Sequence, residues 1–152
     1  MFQLSRRTDY AVRVMLALAK AAAGQRLPTG SIQQQTRVPM AFLQHIVATL
    51  RRAGLLRAYP GLHGGLQLAR PACEISLLDV HEAVEGPIRI SECLAAPDTC
   101  PLAGPCPVRE RWGRLDALIK RELAATTLQQ LALAPASPGR RAAARSRRPE
   151  PR

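Results

Sequence analysis

The sequence is poor in aromatic residues and contains no long apolar run. Only 3% of its 152 residues are Phe, Trp or Tyr, which argues against a β-sandwich or a platform that stacks single-stranded bases. No apolar segment reaches the roughly 20 residues of a membrane span. The opening stretch MFQLSRRTDY lacks the apolar core and cleavage site of a signal peptide. We therefore expect a cytoplasmic protein with no membrane partner, whose four cysteines are not structural disulfides.

Acidic residues are almost missing from the first half of the chain. Residues 1–73 hold ten Arg or Lys and a single acid, Asp9, which gives a net charge of +9. Residues 74–133 carry a net charge of −3 and residues 134–152 a net charge of +5, for a total of +11. A basic block of domain size is typical of a nucleic-acid-binding surface.

The signatures of an enzyme are also missing. We find no nucleophile–base pairing, phosphate-binding loop or metal-hydrolase spacing, so no catalytic activity is predicted. The 47% hydrophobic content is enough for a core, and the length suits one domain with an appended element. Residues 134–152 contain four Pro, six Arg and no large apolar residue. They are predicted to be a disordered basic tail, which either adds phosphate contacts or only aids solubility, and the domain is placed at residues 1–133.

Apolar periodicity predicts a mainly α-helical domain with a small β-wing. Tyr10, Val14 and Leu18 recur at helical spacing and define a first helix, for which Thr8 or Asp9 can serve as the N-cap. Two more helices are expected, a short one that starts near residues 29–31 and a longer one over residues 39–53. This arrangement is typical of a helix-turn-helix, whose second helix enters the major groove.

The outward face of that second helix holds the residues expected to contact DNA. Gln44 and His45 can bond base edges, and Ala41 lies beside them. Arg51 and Arg52 are expected to meet phosphates. Two short strands, LLRAY and LQLAR, flank the turn PGLHGG and predict a β-hairpin wing. Its tip would place three residues against the phosphate backbone or in the minor groove: Gly61, His63 and Gly64.

Two further helices are predicted after the wing. One covers residues 76–86, with Ser76 as its N-cap and His81 as a core histidine. A long amphipathic helix runs from Pro107 or Val108 to about Ala125, and its apolar stripe needs a partner surface. We expect that partner to be the same helix of a second chain, because helix-turn-helix proteins usually read two half-sites as dimers. A final short helix follows Thr126 or Thr127.

Three cysteines cluster in the loop at residues 88–107. Cys93, Cys100 and Cys106 have the spacing C-x6-C-x5-C, which indicates a metal site or redox chemistry. These intervals do not match the structural zinc knuckle and leave room for an iron–sulfur cluster, with a fourth ligand or an open position. Cys73 lies far from the three and is predicted to be a small packed residue.

Over residues 1–133 the chain resembles the winged-helix, cluster-binding bacterial repressors that include IscR, NsrR and RirA. The resemblance rests on an ordered series of segments: LSRRTDYAVR, FLQHIVATLRRAGLL, GLHGGLQLAR, ISLLDVHEAVEGP, the loop cysteines and TTLQQLA. It implies a DNA-binding homodimer in which the long helix crosses to the partner. It also implies a cluster beside that helix, whose state sets the affinity for double-stranded promoter DNA.

Two departures from that family bear on the site. IscR-like members have a His three residues after the last Cys and hold a 2Fe–2S cluster, but this chain has Arg109 there. Asp9 occupies the position from which NsrR-like members supply a carboxylate to a 4Fe–4S cluster across the dimer, so the resemblance favours 4Fe–4S. The alternative role of Asp9 is the helix cap. Pro60 stands where many members have a basic residue before the wing glycine.

The combined expectation is a transcriptional repressor whose operator affinity depends on an iron–sulfur cluster that senses nitric oxide, redox state or iron supply. Two alternatives remain. One is a clusterless winged-helix regulator that uses thiol oxidation or zinc. The other is a cluster-carrying electron-transfer or assembly protein, in which the basic block binds an acidic protein partner.

Overall fold

The computed structural model describes residues 4–96, 98, 100–101 and 104–135. From residue 136 onward, the predicted tail lies outside the described residues. The helices are α1 (Arg6–Lys20), α2 (Thr29–Thr36), α3 (Met40–Arg52), α4 (Leu77–Glu85), α5 (Glu92–Ala95), α6 (Pro107–Ala125) and α7 (Leu128–Leu133). The strands are β1 (Leu56–Tyr59) and β2 (Gly65–Leu68), and a 3-10 turn covers Ala72–Glu74. The predicted fold class, mainly helical with a small β-wing, is confirmed.

The core is built around α1, which packs against α2, α3, α4 and α7. Its buried apolar residues follow helical spacing, so one face of α1 is enclosed. Leu43, Ile46 and Leu50 of α3 meet that face from the other side. These side chains are at most 5% exposed: Ala11, Val14, Met15, Leu18, Leu43, Ile46 and Leu50. The arrangement fixes α3 against the centre of the domain and leaves its opposite face outward.

The start of α1 corrects the predicted cap. Ser5, not Thr8 or Asp9, is the N-cap, and its hydroxyl accepts hydrogen bonds from the amides of Arg7 and Thr8 at 3.1 and 3.3 Å. The helix begins before its apolar stripe because its first turn is polar and arginine-rich, which hides the start from periodicity. Thr8 is buried, and its hydroxyl donates to Glu85 at 3.1 Å. Asp9 lies within the first turn of the helix.

The caps of α4 and α7 were predicted correctly and prove to be neighbours. Ser76 caps α4 and Thr127 caps α7, each in a reciprocal capping box. The backbone joins the two caps, because the Leu77 amide donates to the Thr126 carbonyl and the Leu128 amide to the Ile75 carbonyl, both at 2.9 Å. Leu128 is fully buried. The C-terminal end of α6 is therefore fixed to the winged domain.

Cys73 and His81 have opposite surroundings. Cys73 lies in the 3-10 turn after Pro71 and is exposed, so the prediction of a packed cysteine is wrong, because the turn directs the side chain outward. His81 lies in α4 and is 5% exposed, which agrees with a core position. No helix among the described residues has the length and apolar content needed to cross a membrane.

Candidate DNA-binding surface and thiol segment

The turn between α2 and α3 is a tight helix-turn-helix connection. Arg37 has left-handed backbone angles (φ 56°, ψ 26°), and its amide donates to the Gln33 carbonyl at 2.8 Å. Val38 is fully buried beneath the turn, and Pro39 sets the extended geometry from which α3 starts. A non-glycine residue with left-handed backbone angles is strained and must be stabilised by its surroundings. For Arg37 this stabilisation comes from the buried Val38 and from the hydrogen bond of the Arg37 amide. Arg37, Val38 and Pro39 thus form the connection between α2 and α3.

All predicted contact residues of α3 are exposed on its outward face. Intervals of three, four and seven residues place them on one side of the helix, opposite the buried Leu43, Ile46 and Leu50. The exposed set comprises Ala41, Gln44, His45, Arg51 and Arg52. The Arg52 guanidinium donates to the Thr49 hydroxyl at 3.5 Å. A face with a small residue, an amide, an imidazole and two guanidinium groups can bond both bases and phosphates.

Phe42 is a feature of this surface that the sequence reasoning missed. It is 50% exposed, and its ring meets the Tyr10 ring edge-on with centroids 5.8 Å apart. Arg13 lies over the other ring of this pair, 5.7 Å from the Tyr10 centroid, and also forms an ion pair with Asp9 at 2.7 Å. Phe42 is a large apolar residue that lies outside the buried stripe of α3. The sequence could have revealed its exposure through this position. The contact links the start of α3 to the first turns of α1.

The wing has a glycine turn that tolerates no larger residue at one position. A Cβ on Gly64 would lie 2.1 Å from the Tyr59 carbonyl oxygen, and Gly61 has a φ of +94°. The Gly64 amide donates to the Gly61 carbonyl at 3.0 Å and closes the turn. Leu62 at the tip is 97% exposed, and His63 is exposed beside it. The structure therefore presents the predicted tip residues Gly61, His63 and Gly64 on a closed hairpin turn.

The three loop cysteines are free thiols near the start of α6. Each is half-buried, and the Cys93 Sγ lies 2.9 Å from the Ser91 hydroxyl. Cys106 occupies the N-cap position of α6, where its side chain makes no capping bond. Among the described residues no group of three or more His, Cys, Asp or Glu is placed to hold a metal ion. Thiolates are suitable ligands for an iron–sulfur cluster. Within one chain, however, the described residues do not bring the three thiols together, and they do not bring Asp9 to the thiols.

The long helix α6 presents an uncovered apolar stripe. No residue of α6 is buried, and four large apolar side chains are 42–52% exposed: Val108, Trp112, Leu115 and Leu118. Ion pairs between Glu110 and Arg114 and between Asp116 and Lys120 lie elsewhere on the helix. A stripe of this kind on a 19-residue helix is typical of a surface that another element covers.

A helix-turn-helix followed directly by a β-hairpin defines a winged-helix DNA-binding protein. Residues 4–134 match the Rrf2 family model, described as an iron-dependent transcriptional regulator. The chain belongs to the Rrf2 family of transcriptional regulators and is a DNA-binding regulator, not an enzyme. This membership removes the alternative of an electron-transfer or assembly protein.

The similarity to other proteins covers most of the chain. Rv1287 of Mycobacterium tuberculosis, named as an HTH-type transcriptional regulator, is 35% identical over 86% of this chain and 81% of its own. The structure of CymR, titled the global cysteine regulator of Bacillus subtilis, is 30% identical with a TM-score of 0.70, covering 87% of this chain and 97% of that one. The oxidized form of Staphylococcus aureus CymR is 28% identical with a TM-score of 0.69, covering 90% and 100%.

Proposed function

We propose that this regulator binds operator DNA as a homodimer and that Cys93, Cys100 and Cys106 control its affinity through an iron–sulfur cluster. The observation that supports DNA binding is the outward face of α3. Gln44 and His45 are exposed on that face, and Arg51 and Arg52 follow them toward its C-terminal end. In this arrangement α3 reads base edges in the major groove while the wing meets the backbone beside it.

The homodimer is supported by the apolar stripe of α6. Trp112, Leu115 and Leu118 are each exposed by more than 40% in a single chain. A symmetric contact buries the same stripe on both subunits, and such isologous contacts are the commonest in homodimers. A dimer also presents two copies of α3, whose separation must match one turn of DNA, about 34 Å. We further propose that the bound dimer represses transcription by occupying a promoter.

The cluster is supported by the chemistry of the donors. Three free thiols stand within 14 residues, each of them partly accessible, and soft thiolates are the ligands that iron–sulfur clusters require. A bound cluster would supply a group whose charge and ligation respond to redox state, nitric oxide or iron supply. Because the described thiols are not grouped within one chain, binding a cluster requires the three sulfur atoms to come closer together, with Asp9 of a partner chain as the proposed fourth ligand. We favour a 4Fe–4S over a 2Fe–2S cluster because of the resemblance of the Asp9 position to NsrR-like members, since four protein ligands suit either cluster.

The experiment that tests this proposal combines metal analysis with operator binding. Protein purified without oxygen is analysed for iron and sulfide, and its visible spectrum is recorded. An operator is enriched from a random duplex pool. We expect Cys93→Ser, Cys100→Ser and Cys106→Ser to lose colour and change operator affinity. Cys73→Ser is the matched control, since Cys73 is an exposed cysteine outside the segment. Wild-type colour in the Cys93 variant would contradict the three-cysteine site.

Asp9 has its own test. Asp9→Asn removes the carboxylate charge but leaves the Ser5 cap of α1 untouched. If Asp9 is a ligand, this variant shows a changed spectrum or a labile cluster. If Asp9 only pairs with Arg13 at the surface, the spectrum matches the wild type, and the stability falls by about 0.5 kcal/mol.

A second candidate function is a clusterless regulator that senses oxidants through the same thiols. The ungrouped arrangement of Cys93, Cys100 and Cys106 favours it, as does the similarity to a regulator that has been solved in an oxidized form. This candidate predicts colourless protein whose operator affinity changes with a thiol oxidant and recovers with a reductant. The iron and sulfide content of anaerobic protein separates the two candidates.

A further inference from the structure

An arginine from outside the helix-turn-helix is stacked on the wing. The guanidinium carbon of Arg26 lies 3.7 Å from the centroid of the Tyr59 ring. Tyr59 is the last residue of β1 and directly precedes the tip, residues 60–64. Arg26 is exposed, and Tyr59 is partly exposed. The stack therefore places a positive charge at the tip end of the hairpin.

The backbone around Arg26 is held on both sides. Before it, the Gln25 amide donates to the Ala22 carbonyl at 2.9 Å, and the Gln25 side-chain oxygen accepts from the Ala22 amide at 3.2 Å. After it, Leu27 exchanges two backbone hydrogen bonds with Leu66 of β2, at 2.9 and 2.8 Å. Leu27 is thus joined to the edge of the two-stranded wing by an isolated β-bridge. Arg26 moves with the wing because the next residue is bonded to this edge.

The tip itself carries no Arg or Lys. Its sequence is PGLHG, with Pro60 at the position that precedes the turn glycine. Arg26 has no carboxylate partner within the described part of the chain. The N–H groups of a guanidinium lie in its own plane and can bond both oxygens of a phosphate while the aromatic ring contacts one face of the group.

We propose that Arg26 binds a phosphate of the DNA backbone at the wing, with Tyr59 as the positioning residue beneath it. This assignment rests on the proposed operator binding and deepens it. Arg26 supplies the cation that the tip lacks, from a segment between α1 and α2 that is distant in sequence. The aromatic ring holds the guanidinium ready for the phosphate, so less side-chain freedom is lost on binding.

The expected effect follows from the salt dependence of phosphate contacts. Each contact contributes about −0.9 to the slope of log K against log salt. If a contact adds nothing at about 1 M salt, its loss lowers affinity roughly fivefold at about 0.15 M and roughly fifteenfold at about 0.05 M. Removal of the ring leaves the charge in place but less ordered, so the affinity falls about two- to fivefold with an unchanged slope.

The test measures binding of fluorescently labelled duplex by anisotropy over a series of salt concentrations. The duplex is the sequence that the wild-type protein enriches from a random pool. Arg26→Ala is compared with Arg70→Ala, a matched loss of one exposed positive charge, two residues after the end of β2. Arg70 follows the end of β2 that lies away from the tip. Tyr59→Leu and Tyr59→Phe complete the set, and the melting temperature of each variant is recorded.

We expect Arg26→Ala to lose about 0.9 from the slope, Arg70→Ala to keep the wild-type slope, and Tyr59→Phe to bind like the wild type. An unchanged slope in Arg26→Ala overturns the assignment, even if affinity falls, because the arginine then only supports the wing. Equal slope losses in Arg26→Ala and Arg70→Ala also overturn it, since they indicate a general charge effect. If the wild-type protein enriches no duplex, the proposed operator binding itself fails.

Discussion

The apolar stripe of α6 gives a quantitative prediction for Leu115→Glu. The Leu115 side chain is 42% exposed in a single chain. Full burial of a leucine contributes about 1.5–3 kcal/mol, so covering the exposed part contributes roughly 0.6–1.3 kcal/mol in each subunit. In the proposed homodimer both subunits lose this contribution, which weakens dimerisation by roughly 1.3–2.5 kcal/mol. The dissociation constant of the dimer should therefore rise about tenfold to seventyfold. A desolvated carboxylate adds to the penalty, so these values are a lower bound.

Sedimentation velocity over a concentration series measures this change directly. Leu133→Glu is the matched control, because Leu133 is 77% exposed and belongs to α7 rather than to the stripe. Circular dichroism shows whether each variant remains folded. The reasoning is refuted if the Leu115 variant dissociates no more than the wild type, or if the Leu133 variant dissociates equally.

Three further predictions concern specificity, stability and pH. Gln44→Ala should lower the ratio of specific to non-specific DNA affinity by about 1–3 kcal/mol, whereas Arg52→Ala should weaken binding to both duplexes, as competition titrations will show. Ser5→Ala should reduce the free energy of unfolding by about 1 kcal/mol through loss of the helix cap, while Ser5→Thr should retain it in thermal melts. The hydrogen bond from the Ser5 hydroxyl lowers the pKa of Glu85. This hydrogen bond therefore stabilises the fold fully at neutral pH, and the stabilisation is lost as the pH falls from the ordinary glutamate range through the lowered pKa of Glu85. Glu85→Gln should consequently flatten the acid limb of the stability profile.

The sequence predicted those elements whose signals are local. The bounds of α6 match the prediction because Pro107 suits a first helical turn and the stripe from Val108 to Leu123 has a strict helical period. The caps of α4 and α7 were found for the same reason, since each is a polar residue directly before an apolar run. The start of α1 was misplaced because Thr8 and Asp9 are also good capping residues and lie closer to the apolar stripe.

The features that the sequence could not reveal depend on contacts between distant segments. Nothing near Arg26 indicates Tyr59, because the stack forms only once Leu27 has paired with Leu66. The cysteine spacing revealed that three thiols are close along the chain, but proximity along a loop does not fix distances between sulfur atoms. For that reason the outward face of α3 was predictable, while the arrangement of the thiols was not.

The backbone hydrogen bonds that tie Thr126 and Leu128 to the start of α4 anchor the C-terminal end of α6. A helix of 19 residues is about 28 Å long, and Cys106 stands at the end farthest from this anchor. A tilt of about 5° around the anchor displaces that end by roughly 2.5 Å, given the rise of the helix. Conversely, a shift of a few ångströms at the Cys106 end tilts the entire apolar stripe of α6 by only a few degrees.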